Sequence, residues 1–390
     1  MHPFHLSFFD TKAAFRHKSN SELKKSKFIF TIFKYPFLVN YGPALSSFAL
    51  KIGLPIKGII KKTVYSQFCG GETIDECDNA VKLLWQSGVG AILDYSVEGD
   101  ETEENFDANV EEIKHTINKA KGKPEYPFCV FKPTGIGRFA LLEKLDAGKK
   151  LDHEELDEYY RFKDRFENIC RTAAENDVRI FVDAEETWIQ DTVDGIANEM
   201  MGRYNTKRAI VFNTIQLYRK DRLGFLKKCI AEAKGYYPGF KLVRGAYMEK
   251  EAARALELGY PNPIQESKAK SDLDYNEATK LCFEHRDQVS ICAGTHNEDS
   301  SMLLAKIMND EGIKNNDPRF WFAQLYGMSD NISFNLAAHG YNVAKYLPYG
   351  PVKAVMPYLG RRAKENSSMS GQMGRELSLI VQEIKRRKSG

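Results

Sequence analysis

From Ala91 to Tyr349 short runs rich in β-branched and aromatic residues alternate with longer stretches of helical periodicity, which limits the fold more than any other feature. The runs read as strands are Ala91–Ser96, Phe128–Lys132, Arg179–Glu185, Arg208–Gln216, Phe240–Tyr247, Val289–Asn297, Phe320–Gly327 and Asn342–Tyr349. Between them, Leu151–Asn176, Glu249–Leu258, Tyr275–His285 and Ser300–Asn309 repeat apolar residues at the spacing of a buried helix face. Parallel strands need a long crossover, usually a helix. Eight strands with intervening helices therefore predict an α/β protein, a (β/α)8 barrel of the TIM type rather than a doubly wound sheet.

A chain of 390 residues, 43% hydrophobic, is large enough for one big core or two moderate ones. Three zones follow: a mixed basic and apolar helical region over 1–86, the barrel over 87–370, and a basic amphipathic tail over 371–390. The clearest helical pattern in the first zone is Thr73 to Gln86. A net charge of +3 gives no argument for nucleic acid. Seven cysteines, an odd number without a C-x-x-C pair, point to a reducing compartment and away from zinc or any other metal. No run is apolar for the length of a membrane span, and Phe28 to Ile60 is cut by Lys34, Pro36, Asn40, Pro43, Lys51 and Pro55. The first residues lack the order of a secretory signal.

Polar residues gather where the predicted strands end: Lys132, Asp183, Glu185, Gln216, Arg244, Tyr247, His296, Asn297 and Tyr346. In a parallel barrel those ends open on one face, where such folds carry their active sites. One His or Gln at a strand end is usually a satisfied structural residue; so many, with both signs of charge, read as a site. The excess of Lys and Arg predicts an anionic ligand. The segment after the eighth run adds to it. With Pro351 as the first helical residue, Tyr358, Arg361, Arg362 and Glu365 fall at i, i+3, i+4 and i+7 on one face. Two adjacent guanidinium forks suit a carboxylate or phosphate, and Glu365 can hold one of them in place. Gly135-Ile136-Gly137-Arg138-Phe139-Ala140 fits the G-x-G-x-x-A form of a dinucleotide fingerprint. The acidic residue that should end the next strand falls instead within the helical pattern Leu151–Tyr160, so the segment reads as a glycine-rich turn.

In this order, Phe181-Val182-Asp183-Ala184-Glu185-Glu186, Lys241-Leu242-Val243-Arg244-Gly245-Ala246-Tyr247, Gly294-Thr295-His296-Asn297, Gln324-Leu325-Tyr326-Gly327-Met328 and Tyr358 to Asn366 resemble the proline dehydrogenase family. The resemblance runs from about Asp10 to about Met369. Ala13-Ala14-Phe15-Arg16-His17-Lys18 and Ala91 to Glu98 are similar to its eukaryote-like branch, and the chain reads as monofunctional, without an aldehyde dehydrogenase half.

The resemblance implies a distorted (β/α)8 barrel that holds FAD, oxidises L-proline to Δ1-pyrroline-5-carboxylate and passes electrons to a quinone. On this reading Lys132, Arg361 and Arg362 take the carboxylate, and Ala246, Leu325, Tyr346 and Tyr358 enclose the ring. Glu365 orients the arginines, and Asp183 is a counter-ion that orients Lys132. Gln216, Lys241, Val243, Arg244, Gly245, Ala246, Thr295, His296 and Asn297 stand at the flavin-contacting positions, Gly245 where backbone would approach the cofactor closely. Lys241 and Met248 depart from the Arg and Trp of some members, which leaves the adenine side open.

Two other readings stand beside it: a relative preferring hydroxyproline, against which Tyr346 argues, and a catalytically silent anion-binding barrel, against which Lys132, Arg361, Arg362 and His296 argue. A separate pyrroline-5-carboxylate dehydrogenase would take the product. The expected location is cytoplasmic; the basic and apolar residues of 1–86 and the basic tail leave two readings open, peripheral contact with anionic lipid on the inner face of a membrane or a solvated helical cap over the barrel, and a mitochondrial home stays open.

Overall fold

A computed structural model describes residues 4–97, 100–368 and 370–389, and of 366–373 no side chain. Glu98 and Met369, which end two of the stretches of resemblance, lie outside the described residues, as does the Asn366 side chain. The chain divides into two units, Gly99–Ala323, and His2–Glu98 with Gln324–Gly390.

The second unit begins with α1 (Thr11–Phe15), α2 (Asn20–Ile32), α3 (Pro36–Lys51), α4 (Lys57–Ile60), α5 (Ser66–Phe68) and α6 (Asp78–Trp85), then β1 (Val89–Tyr95). The Gly99–Ala323 unit carries α7 (Glu103–Ala120), β2 (Phe128–Phe131), α8 (Phe139–Asp146), α9 (His153–Glu175), β3 (Arg179–Val182) and α10 (Thr187–Tyr204). It continues with β4 (Val211–Gln216), α11 (Arg222–Glu232), β5 (Gly239–Val243), α12 (Met248–Leu258), α13 (Lys268–Glu284), β6 (Ser290–Gly294), α14 (Glu298–Asp310) and β7 (Phe320–Leu325). The second unit resumes with α15 (Asp330–Ala338), β8 (Val343–Tyr349), α16 (Met356–Ser368) and α17 (Ser370–Ser389).

Each predicted run contains a strand. They form one sheet in the order β1-β8-β7-β6-β5-β4-β3-β2. The register between β1 and β8 is parallel, Val89 opposite Val343 through Tyr95 opposite Tyr349. Strands in chain order around one parallel sheet, with helices between, are the TIM-type (β/α)8 class.

Several strands stop short of the expected ends. Pro133 has no N–H for a ladder and opens a 3-10 turn over Pro133–Gly135, so β2 ends at Phe131. Asn297 leaves the sheet to cap α14, its side chain accepting from the Ser300 N–H at 3.0 Å. Lys132, Asp183, Glu185, Arg244, Tyr247, His296 and Asn297 thus stand in loops just past the strands, while Gln216 and Tyr346 lie within β4 and β8.

The helix expected to open at Pro351 opens at Met356 instead. Gly350 has φ +142°, and the Val352 N–H is drawn to Glu72 Oε2 at 3.3 Å. The intervening residues form a turn, with Ala354 N–H on Pro351 O at 2.8 Å. The Gly135–Ala140 segment is a turn followed by α8; a Cβ on Gly137 would sit 2.3 Å from the Phe162 ring, so close packing accounts for that glycine.

In the Gly99–Ala323 unit Phe128 of β2 stacks on Phe181 of β3 at a centroid distance of 4.3 Å, and Phe181 meets Phe212 of β4 edge-on at 5.6 Å. The next strand must yield to them: a Cβ on Gly239 would lie 2.7 Å from the Phe212 ring. The other unit has its own core, where Phe30, Phe33 and Phe68 meet Val352, Val355, Met356, Leu359 and Ile380. All seven cysteines are buried, and among the described residues none forms a disulfide.

Candidate active site

The sequence-predicted site residues fall into two sets, one on each unit. In the Gly99–Ala323 unit, Asp183 follows β3 and its backbone N–H is held by Phe131 O at 3.0 Å. Its carboxylate is ion-paired with Lys241 of β5, whose Nζ also lies 5.1 Å from the Phe181 ring centroid. Asp183 was expected to orient Lys132; the ion pair it makes is with Lys241. Lys132 is half-buried, and its carbonyl accepts from Gly135 N–H at 3.0 Å.

Glu185 sits deeper. Thr134 serves both its oxygens, through N–H at 3.0 Å and Oγ1 at 2.7 Å. Gln190 Oε1 accepts from its backbone N–H at 2.9 Å. Burial pushes its carboxyl up to about 7, against the Thr134 hydrogen bonds and the charge of Lys132. The Glu185 carbonyl accepts from Gln216 Nε2 at 2.9 Å. Gln216 is 2% exposed, yet its Oε1 has no partner among the described residues.

Arg244, just past β5, is tied on three nitrogens. Nε donates to Asp272 Oδ1 at 2.6 Å, Nη1 to Thr295 Oγ1 at 2.7 Å and Nη2 to Ser300 Oγ at 2.9 Å. Its guanidinium lies 4.4 Å from the Tyr275 ring centroid. Thr295 Oγ1 also accepts from the Asn297 N–H at 3.1 Å, which draws the β6–α14 loop onto the same cation. Val243 and His296 are half-buried, and Gly245 and Ala246 are exposed. Gly245 was expected to mark a close approach of the cofactor. At φ +129° its missing Cβ would fall 2.4 Å from the Tyr218 ring, so that ring fixes the glycine.

In the second unit, side chains alternate across β8. Lys345 is committed to α15 through Asp330, so its neighbour Tyr346, 9% exposed, points to the opposite face. Leu325, at the end of β7, is half-buried. On α16, Tyr358, Arg361, Arg362 and Glu365 all lie inside the helix despite its late start. Arg362 is buried, its guanidinium 5.1 Å from the Tyr358 ring centroid and its Nη2 2.5 Å from Glu365 Oε1. Glu365 therefore holds the second of the two arginines; Arg361 is exposed. Tyr358 is buried, and its hydroxyl has no partner among the described residues. The result is a rigid cation beside an aromatic ring.

Sequence reading missed the residues that hold these groups: Thr134 and Gln190 around Glu185, Asp272 and Ser300 around Arg244. Gln190, Asp272 and Ser300 lie within helices, and Thr134, three residues past β2, falls beyond the predicted run Phe128–Lys132; Asp272 lies in the first half of α13, where Asp is unremarkable on a solvated helix.

The description "Proline dehydrogenase" fits the family profile that matches residues 77–375. The chain is 35% identical over 350 residues to the carbapenem antibiotics biosynthesis protein CarD of Pectobacterium carotovorum subsp. carotovorum, covering 89% of this chain and 90% of that one. It is 33% identical over 377 residues to proline dehydrogenase 1, mitochondrial, of Arabidopsis thaliana, covering 85% and 76%. Among solved structures, proline utilization A (PutA) from Bdellovibrio bacteriovorus superposes with a TM-score of 0.73 at 20% identity, over 94% of this chain and 42% of that one. That likeness agrees with the strand order in placing the fold among TIM-type α/β barrels. With residues 77–375 covered by the family profile, the chain belongs to the proline dehydrogenase family.

Proposed function

We propose that the protein oxidises L-proline to Δ1-pyrroline-5-carboxylate, with FAD as cofactor and a quinone as electron acceptor. The observation that carries the reading is the buried Arg362, fixed between Tyr358 and Glu365 within the family-matching segment. Proline is a carboxylate attached to an apolar ring. Arg362 and Arg361 offer charge-assisted donors for the carboxylate, with Lys132 as a third cation. Tyr346, Tyr358, Leu325 and Ala246 offer aromatic and apolar surface for the ring. Holding both ends of a small substrate fixes which C–H bond is presented for reaction.

The residues on the cofactor side fit a flavin. Gln216 Oε1 is a buried acceptor without a partner among the described residues, as an amide reserved for a ligand would be. Arg244 is a cation whose position is already set by Asp272, Thr295, Ser300 and Tyr275. Thr295, His296 and Asn297 would line the same cofactor, with Lys241 and the backbone from Val243 to Ala246. When bound, FAD supplies a two-electron acceptor for the substrate. The Asp183–Lys241 ion pair balances charge locally, so no isolated charge needs to be neutralised when substrate enters. Proline loses two electrons and two protons as its C–N bond becomes C=N, and a separate pyrroline-5-carboxylate dehydrogenase would consume the product.

The visible spectrum of the purified protein is the test. Flavin absorption that bleaches on anaerobic addition of L-proline is expected. Protein that is colourless and does not bind added FAD would remove the reading.

A further inference from the structure

Backbone groups beyond the end of a strand have no ladder partner and must be satisfied elsewhere. At the ends of β7 and β8 one short segment, Tyr65 to Glu72, supplies several of the partners. Gln67 Nε2 donates to Gly327 O at 2.9 Å, and Ser26 Oγ of α2 fixes the same amide by donating to its Oε1 at 2.8 Å. The two backbones touch: a Cβ on Gly327, at φ +75°, would lie 1.9 Å from Gln67 O. On β8, Gly70 N–H donates to Pro348 O at 2.9 Å, and Gly71 forms a parallel bridge with Tyr349. Gly350 N–H donates to Gly71 O at 3.1 Å, and Tyr65 Oη donates to Gly350 O at 2.8 Å. Glu72 then takes the Val352 N–H on the way to α16.

These contacts bracket the residues assigned to the substrate. Leu325 stands two residues before Gly327, and Tyr346 two residues before Pro348. The Tyr326 N–H, donating to Tyr346 O at 2.8 Å, ties the two strand ends to each other. Gly350 and Val352 lead into α16, which carries Tyr358 and Arg362. Phe68 and Cys69, from the same short segment, are buried in one core with Val355, Tyr358 and Leu359. The segment therefore touches both pieces that would enclose proline, the strand ends with the ring wall and the helix with the cation. The direct covalent link between those pieces is the turn from Pro351 to Val355. A connection of that kind holds a fixed geometry only when other groups tie it down.

We propose that Tyr65–Glu72 is a brace that sets the spacing between the ring wall, Leu325 and Tyr346, and the helix that carries Arg362, with Tyr65 and Gln67 as positioning residues. The brace has this role only if the protein oxidises proline as proposed, and it lies before residue 77, where the family profile begins. A spacing held from two sides suits one ring size. An extra methylene in a tight apolar pocket is discriminated by about 10–200-fold, and a small displacement of the walls erodes that discrimination.

The test is steady-state oxidation of L-proline and of L-pipecolate, whose ring is one methylene larger, with an artificial electron acceptor. Wild type is compared with Tyr65→Phe, Gln67→Leu and a control, Val81→Ala. Val81 is buried on α6, outside the core that holds Phe68 and Tyr358, so its truncation costs stability without loosening the brace. Wild type is expected to favour L-proline in kcat/KM by about 10–200-fold. Tyr65→Phe and Gln67→Leu are each expected to raise the proline KM about fivefold and to narrow that preference about threefold or more, with flavin content per chain unchanged. Val81→Ala is expected to melt lower and keep the wild-type KM and preference. Brace variants that keep both wild-type values, or that shift them no more than Val81→Ala does at an equal loss of melting temperature, overturn the proposal. If Gln67→Leu fails to fold, Tyr65→Phe, which removes a single oxygen, decides alone. Wild type whose flavin is not reduced by proline removes the catalytic reading and the brace's role with it, a result distinct from brace variants that match wild type on both substrates.

Discussion

Lys345 Nζ lies 2.9 Å from Asp330 Oδ1, with the two side chains only 1% and 2% exposed. Lys18 reaches the other carboxylate oxygen at 2.7 Å, and His17 stacks on Phe334 beside it at 3.8 Å. Lys345 also donates to Met328 O at 2.6 Å, and Ser329 N–H donates to Glu376 at 2.9 Å. One buried carboxylate therefore joins the segment after α1 to α15 and β8. Burial works to raise the Asp330 carboxyl, but Lys18 and Lys345 hold it well below the usual carboxylate range.

Removing that carboxylate leaves two cations without their counter-ion. Asp330→Ala is expected to lower stability by about 3–5 kcal/mol. Asp330→Leu/Lys345→Met, which removes charge from both sides of the pair, is expected to recover part of the loss. Urea denaturation of the three proteins checks this; a double variant no more stable than the single one would show that the charges matter less than the packing.

Arg362→Met should weaken proline binding by about 2–5 kcal/mol, the cost of depriving a desolvated carboxylate of a charge-assisted partner. Flavin content should stay at the wild-type level, because Arg362 lies on the substrate side of the reading. Glu365→Gln, which loosens the guanidinium without removing it, should cost less. Titration of the flavin spectrum with proline measures all three. Unchanged affinity in Arg362→Met would make that arginine structural.

Tyr346→Ser should narrow selectivity. An aromatic wall leaves the hydroxyl of trans-4-hydroxy-L-proline without a partner, at about 1–3 kcal/mol. Wild type should then favour L-proline in kcat/KM by roughly ten- to a hundredfold, since about 1.4 kcal/mol is a factor of ten. Steady-state rates of both enzymes on both substrates, with an artificial acceptor, decide it. The same ratio in both enzymes would mean that Tyr346 does not face the ring.

Glu185 predicts a pH dependence. Its folded-state value of about 7 lies above the ordinary glutamate value of about 4.3. The folded state therefore favours the protonated carboxyl, and this contribution is complete below pH about 4.3, fades as pH rises, and is gone above pH about 7. Glu185→Gln lacks the titration, so its stability relative to wild type should rise between pH 5 and 7 and level off above. Thermal melting at intervals from pH 5 to pH 8 reads the difference; a difference that does not vary with pH would refute a buried neutral Glu185.

The fold was legible because each strand carries its own apolar or aromatic run and each crossover its own periodicity. The strand ends were less legible. Lys132 and Glu185 sit next to residues of strand-like character, and only backbone partners reveal where a ladder stops. The α16 face could be read from spacing alone, since Tyr358, Arg361, Arg362 and Glu365 are local to one helix. Its starting point could not, because Glu72, distant in sequence, takes the Val352 N–H. Gly245 shows the same limit: a close approach to its backbone was foreseeable, but the Tyr218 ring that makes it was not. Spacing names the residues that point together, and tertiary partners decide what each of them holds.

The burial of every cysteine gives the protein a chemical clock in each of its two units. Cys69 and Cys77 lie in the unit formed by His2–Glu98 and Gln324–Gly390, and Cys129, Cys170, Cys229, Cys282 and Cys292 in Gly99–Ala323. Burial pushes Cys229 up to about 11 and both Cys129 and Cys292 up to about 12, so the folded protein keeps these thiols protonated as well as hidden. A thiol reagent then reacts no faster than each region opens. Labelling resolved by cysteine would therefore time the opening of the two units separately, without any engineered probe.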